Sequence, residues 1–191
     1  LGAFAEAAVD LRWTTETYDI PVIGGAGWSA GGEYGSDSPI TSIGDVNNDG
    51  RSDVLVSFFK FTGGLQSTAA IILGDTDPSQ STAQLLNLPA SMGYVVGAAG
   101  NGDVNGDGLP DFVLGGFTAD FGTSVVAVFL GIADDEPELR SPDAVFSIPG
   151  RLLGGVSMVG EFNHRTADGA SVYADILVGG QVTPGGADTS A

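Results

Sequence analysis

Apolar residues in this chain come in short runs. DVLVSFF begins at Asp53, AAIILG covers 69–74, DFVLGGF begins at Asp111, VVAVFLG covers 125–131 and DILVGGQ begins at Asp175. Runs this short, rich in Val, Ile, Leu and Phe and bounded by Gly, Pro, Asp and Ser, read as strands rather than helices. The 31 glycines and 9 prolines leave long helices little room. Alternation between apolar and polar positions is poor, as expected for strands whose two faces are both covered by neighbouring sheets.

The runs repeat in a fixed order. DVNNDGRSD opens at Asp45, DVNGDGLPD at Asp103 and the weaker EFNHRTADG at Glu161, each 58 residues after the last. Tyr34-Gly35, Met92-Gly93 and Leu153-Gly154 lie upstream of the three openings, and a Pro-containing linker follows as LNLP and FSIP. About four strands in roughly 60 residues is the pattern of a propeller blade. The expected fold is therefore all-β, with propeller-type blades of four antiparallel strands.

The acidic stretch between strands carries the candidate chemistry. In DVNNDGRSD, oxygen side chains stand at positions 1, 3, 5 and 9 (Asp45, Asn47, Asp49, Asp53), with Gly50 at position 6 for a sharp bend. Position 7, Arg51, is expected to offer its backbone carbonyl. The second loop matches with Asp103, Asn105, Asp107, Leu109 and Asp111. Three carboxylates, an amide and a carbonyl are hard ligands that suit Ca²⁺ rather than Zn²⁺ or copper, while Mg²⁺ demands stricter octahedral geometry. An EF-hand is excluded because its position-12 glutamate is replaced by Val56 and Leu114 and both flanks read as strands. The third copy is stretched to 15 residues, so Glu161, Asn163, Asp168 and Asp175 form a weaker candidate site, with His164 and Arg165 inside the insertion.

An apolar or aromatic residue plus Gly, then DxNxDGxxD, then LVGG, then VVAVFLG resembles the FG-GAP repeat of integrin-α-like propellers. The resemblance covers about residues 33–181, strongest in the second unit. It implies a seven-bladed propeller of secreted or cell-surface proteins, of which this chain would hold about three repeats. The expected organisation is 1–30 as an outer strand of a neighbouring blade plus linker, then repeats at 31–88, 89–148 and 149–191, the last without its final strand. Three blades are too few for a closed ring. Residues 3–13 are therefore expected to complete a blade at 152–191, in a longer propeller or by strand addition between copies.

Composition narrows the function. With 24 acidic residues against 6 basic ones the formal net charge is −18, which repels nucleic acid and anionic membrane surfaces. No run approaches the roughly 18 apolar residues of a membrane span, and the start at Leu1 without a basic leader is expected for a processed or excised segment. The absence of cysteine removes disulfides and thiolate chemistry, and His164 is the only histidine. Weak calcium loops fill outside cells, which points to an extracellular location. The expected function is a calcium-stabilised, non-enzymatic module for adhesion or structural self-assembly. Its runner-up is a glycan-binding or calcium-dependent polysaccharide-degrading domain, since some polysaccharide lyases use calcium-bearing propellers. Lys60, Arg12 and Arg151 are the candidate bases for that chemistry, and Trp13, Trp28 and Tyr34 a candidate sugar platform.

Overall fold

A computed structural model describes residues 28–30, 40–60, 66–76, 83–133, 140–149, 151–160, 162 and 173–182. Every regular element among them is a strand, and every strand pairing is antiparallel.

The first sheet contains β1 (Trp28–Ala30), β2 (Ile40–Gly44), β3 (Asp53–Lys60), β4 (Gln66–Ile72) and β5 (Ala83–Leu85). β1 and β2 share one edge of β3: Ile40–Gly44 pairs with one end of β3 and Trp28–Ala30 with the other. The sheet is thus four strands wide. The second sheet is a meander of β6 (Tyr94–Gly102), β7 (Asp111–Phe117), β8 (Thr123–Phe129) and β9 (Ala144–Pro149). The third described sheet pairs β10 (Arg151–Val159) with β11 (Asp175–Val182).

FSIP, expected as a linker, is instead the end of β9, an edge strand of the second sheet. Proline is tolerated there because a strand end on a sheet edge loses no ladder donor.

The sheets stack. β2 packs on β6, and β6 on β10, so the first strands of successive units face one another. Glycine permits the close approach: a Cβ on Gly100 would lie 2.6 Å from Ile43 Cα in the neighbouring sheet. The second sheet is apolar on both faces, and the stacking explains why. Phe112, Leu114, Val125, Ala127 and Phe129 join Ile43, Leu55 and Ile71 in one core, while Val113, Val126 and Val128 meet Val156, Met158 and Ile176 in another. Successive residues of one strand therefore serve different cores, which is the reason the alternation in the sequence is weak. In the third sheet, Leu177 and Val178 remain 45% and 40% exposed.

This stacking brings the β2–β3 and β6–β7 loops, residues 45–52 and 103–110, into adjacent positions. β2 and β6 each carry a bulge just before its loop, between Ser42 and Gly44 and between Gly100 and Gly102.

Candidate metal centre

Both loops are wound by their own acidic side chains. In the first, Asp45 accepts the amides of Asp49 through Oδ1 (2.9 Å) and Gly50 through Oδ2 (2.8 Å). Asn47 Oδ1 accepts the same Asp49 amide at 3.3 Å, and Asp49 Oδ1 accepts Arg51 N–H at 2.8 Å. The second loop repeats the scheme: Gly108 N–H on Asp103 Oδ2 (2.8 Å), Asp107 N–H on Asn105 Oδ1 (3.0 Å) and Leu109 N–H on Asp107 Oδ1 (2.8 Å). One bond differs, since Asp103 Oδ1 takes the amide of Gly106 rather than that of Asp107. Side-chain oxygens that accept amides two to five residues on are the standard means by which Asp and Asn curl a loop.

The position-9 carboxylates close the loops. Asp53 has no exposed surface; it accepts Val46 N–H through Oδ2 (2.9 Å) and Gly74 N–H through Oδ1 (2.8 Å). Asp111, equally buried, accepts Val104 N–H (2.7 Å) and Gly131 N–H (2.7 Å) in the same way. Gly74 and Gly131 end the runs AAIILG and VVAVFLG, so those recurring glycines are donors two residues past the ends of β4 and β8. Burial pushes both carboxyls above the usual range, the amide bonds oppose it, and the charges of Asp49 and Asp45, or of Asp107 and Asp103, add to the rise.

Those charges mark the expected ligands as close neighbours. In the first loop Arg51 pairs with Asp49 at 3.5 Å, a partly exposed contact of small worth. Beside the second, Arg140 lies 5.8 Å over the Phe112 ring, donates to the Leu130 carbonyl, and is attracted by Asp143 and Asp111. Burial lowers its pKa first, and the two carboxylates partly restore it.

In the third unit Phe162 N–H donates to Asp175 Oδ2 at 2.8 Å. This is the position-2 to position-9 bond of the other two loops, kept across the longer insertion. Glu161, Asn163 and Asp168 lie outside the described residues, as do His164, Arg165, residues 3–13, Arg12, Trp13 and Tyr34. The side chains of Trp28, Lys60 and Arg151 also lie outside them.

Among the described residues no three acidic or imidazole groups form a ready-made cage, because the carboxylates are turned onto loop amides. The donor set nevertheless fits a hard divalent cation. It is all oxygen, each carboxylate oxygen can accept beyond one N–H, and two buried anions stand among like charges.

Position 4 of the loop is a requirement the motif pattern did not flag. Asn48 (φ 62°) and Gly106 (φ 79°) both sit in the left-handed region, followed by Gly50 (φ 87°) and Gly108 (φ 89°) at position 6. The available signal was the residue pair itself, since Asn and Gly are the types that tolerate that region.

No family model and no curated protein matches the chain. Among the described residues no helix is long and apolar enough to cross a membrane.

Proposed function

We propose that this chain is a calcium-stabilised extracellular repeat module of the FG-GAP, integrin-α-like kind, serving adhesion or structural self-assembly without catalysis. Its sheets would be propeller blades, and the loops at 45–53 and 103–111 its calcium sites. One observation carries the reading: two loops of different sequence wind by nearly the same hydrogen bonds and each closes on a fully buried aspartate. A buried carboxylate among like charges is a standing cost in the bare protein, and a bound cation reverses its sign.

Asp45, Asn47, Asp49 and Asp53 would hold one ion, and Asp103, Asn105, Asp107 and Asp111 the other. Arg51 and Leu109 would add their carbonyls. Asp175 would serve a third site with Glu161, Asn163 and Asp168. Calcium supplies a counter-charge that locks strand to strand; the residues themselves set the loop path. Self-association through open sheet edges, residues 3–13 included, would extend the blades into a ring or fibre.

The test is thermal unfolding of the chain in calcium and in EDTA, with electron microscopy of the calcium form. Free calcium at 100 times its dissociation constant stabilises by about 2.7 kcal/mol per site. An unchanged melting temperature in EDTA overturns the calcium reading. Cleavage of acidic polysaccharide by the purified chain in calcium overturns the non-enzymatic one.

A further inference from the structure

We propose that the loops at 45–53 and 103–111 bind divalent cation cooperatively, the first ion raising the affinity of the neighbouring loop. The inference rests on the calcium reading above. Two contacts between the loops carry it, and a third shows the same arrangement between the next pair of units.

The first is a path of peptide groups. Gly131 N–H donates to Asp111 Oδ1 at 2.7 Å, and the next amide, Ile132 N–H, donates to the Val46 carbonyl at 2.8 Å. Val46 in turn gives its own N–H to Asp53 Oδ2 at 2.9 Å. The closing carboxylates of the two loops are thus linked through three backbone donors, the adjacent Gly131 and Ile132 amides and the Val46 amide, with the Val46 carbonyl accepting between them.

The second is a steric contact. Pro110, next to Asp111, lies against Gly44, next to Asp45. Gly44 has φ 83°, and a Cβ there would stand 2.7 Å from Pro110 Cβ. The third contact shows that this is a rule of the stack. Between the second and third units, Ala174 N–H donates to the Asp103 carbonyl at 2.6 Å, and a Cβ on Gly102 would stand 2.8 Å from Ala174 Cβ. In both cases the residue before a closing aspartate is seated on the glycine before the preceding loop's first aspartate.

A cation that orders Asp45 and Asp53 also holds the Val46 peptide between them. Ile132 N–H is tied to the carbonyl of the same residue, Val46, and Gly131 is then fixed against Asp111 before the second ion arrives. Ordering paid for by the first ion lowers the cost of the second. Direct repulsion between two bound cations would act in the opposite sense, so the sign of the coupling is diagnostic.

Calcium titration of the full chain by calorimetry tests this, with Asp49→Asn and Asp107→Asn each disabling one loop. The remaining loop is expected to bind about fivefold or more weakly than in the wild type, and the wild type to titrate with a Hill coefficient above 1. Ile132→Pro removes the linking amide at a residue that is 50% exposed. In that background each loop is expected to bind alike whether or not the other is intact. Pro110→Gly, which empties the contact on Gly44 but leaves the hydrogen-bond path in place, is expected to weaken the coupling without abolishing it. Hydrogen exchange adds a local readout: in the Asp107→Asn chain, calcium at the first loop slows exchange of the Gly131 amide, and Ile132→Pro abolishes the slowing. Independent loops, or a weaker second site, overturn the coupling alone. No calcium binding at either wild-type loop overturns the calcium reading and the coupling with it.

Discussion

Phe112 lies flat on Phe129, with ring centroids 4.8 Å apart and planes only 2° from parallel. The two are direct partners on β7 and β8, both fully buried on the face that packs against the first sheet. Asp111 begins β7 one residue earlier, so the stack anchors the strand that presents the second loop's closing carboxylate.

Phe129→Ala should therefore destabilise the chain by about 3–5 kcal/mol, as large-to-small changes in a packed core do. Urea unfolding measures it. A loss below about 1 kcal/mol would mean that the first and second sheets do not share this core.

The pH response of the metal-free chain follows from Asp53 and Asp111. Both carboxyls are raised above their unfolded value of 3.8, chiefly by burial. Their stabilising protonation is complete below the unfolded pKa and is lost as pH rises through the folded pKa. In EDTA the melting temperature should thus climb as pH is lowered from 7 toward about 4, helped by relief of the −18 net charge. If the two aspartates ligate calcium as proposed, saturating calcium favours their charged form and the slope should reverse. Identical slopes with and without calcium would contradict the ligand role of both aspartates.

Asn48 and Gly106 occupy the same loop position with the same left-handed backbone, yet their surroundings differ. Asn48 is exposed, whereas a Cβ on Gly106 would stand 2.5 Å from the Tyr173 ring. Asn48→Ala should cost about 1–2 kcal/mol for the backbone conformation alone. Gly106→Ala should cost about 1–3 kcal/mol more, because the Tyr173 ring must move. Denaturant midpoints of the two variants make the comparison, and equal losses would remove Tyr173 from the second loop.

Ser57 is buried on β3, and among the described residues its hydroxyl meets no hydrogen-bond partner. An unmatched buried hydroxyl is a net cost, so Ser57→Ala should stabilise the chain by about 1 kcal/mol. A destabilised variant in the same unfolding assay would show that the hydroxyl is engaged.

The residues legible in the sequence were those whose partners lie within one loop. Asp45, Asn47 and Asp49 bond to amides two to five positions on, and a nine-residue pattern is enough to imply such turns. The strands were legible for a similar reason: short β-branched and aromatic runs between Gly and Pro admit little else. FSIP was misread because a proline looks the same at a strand's last edge position as in a linker.

What the sequence by itself determined is thus local: an all-β chain, a 58-residue period and two acidic loops wound on their own carboxylates. Tertiary structure decided the rest. Asp53 and Asp111 take donors from Gly74 and Gly131, 21 and 20 residues away, and Gly44 meets Pro110 in the next unit. Such contacts depend on how sheets stack. A repeated pattern of small and apolar residues permits stacking without saying which side chain meets which, since one strand's alternate residues enter two different cores.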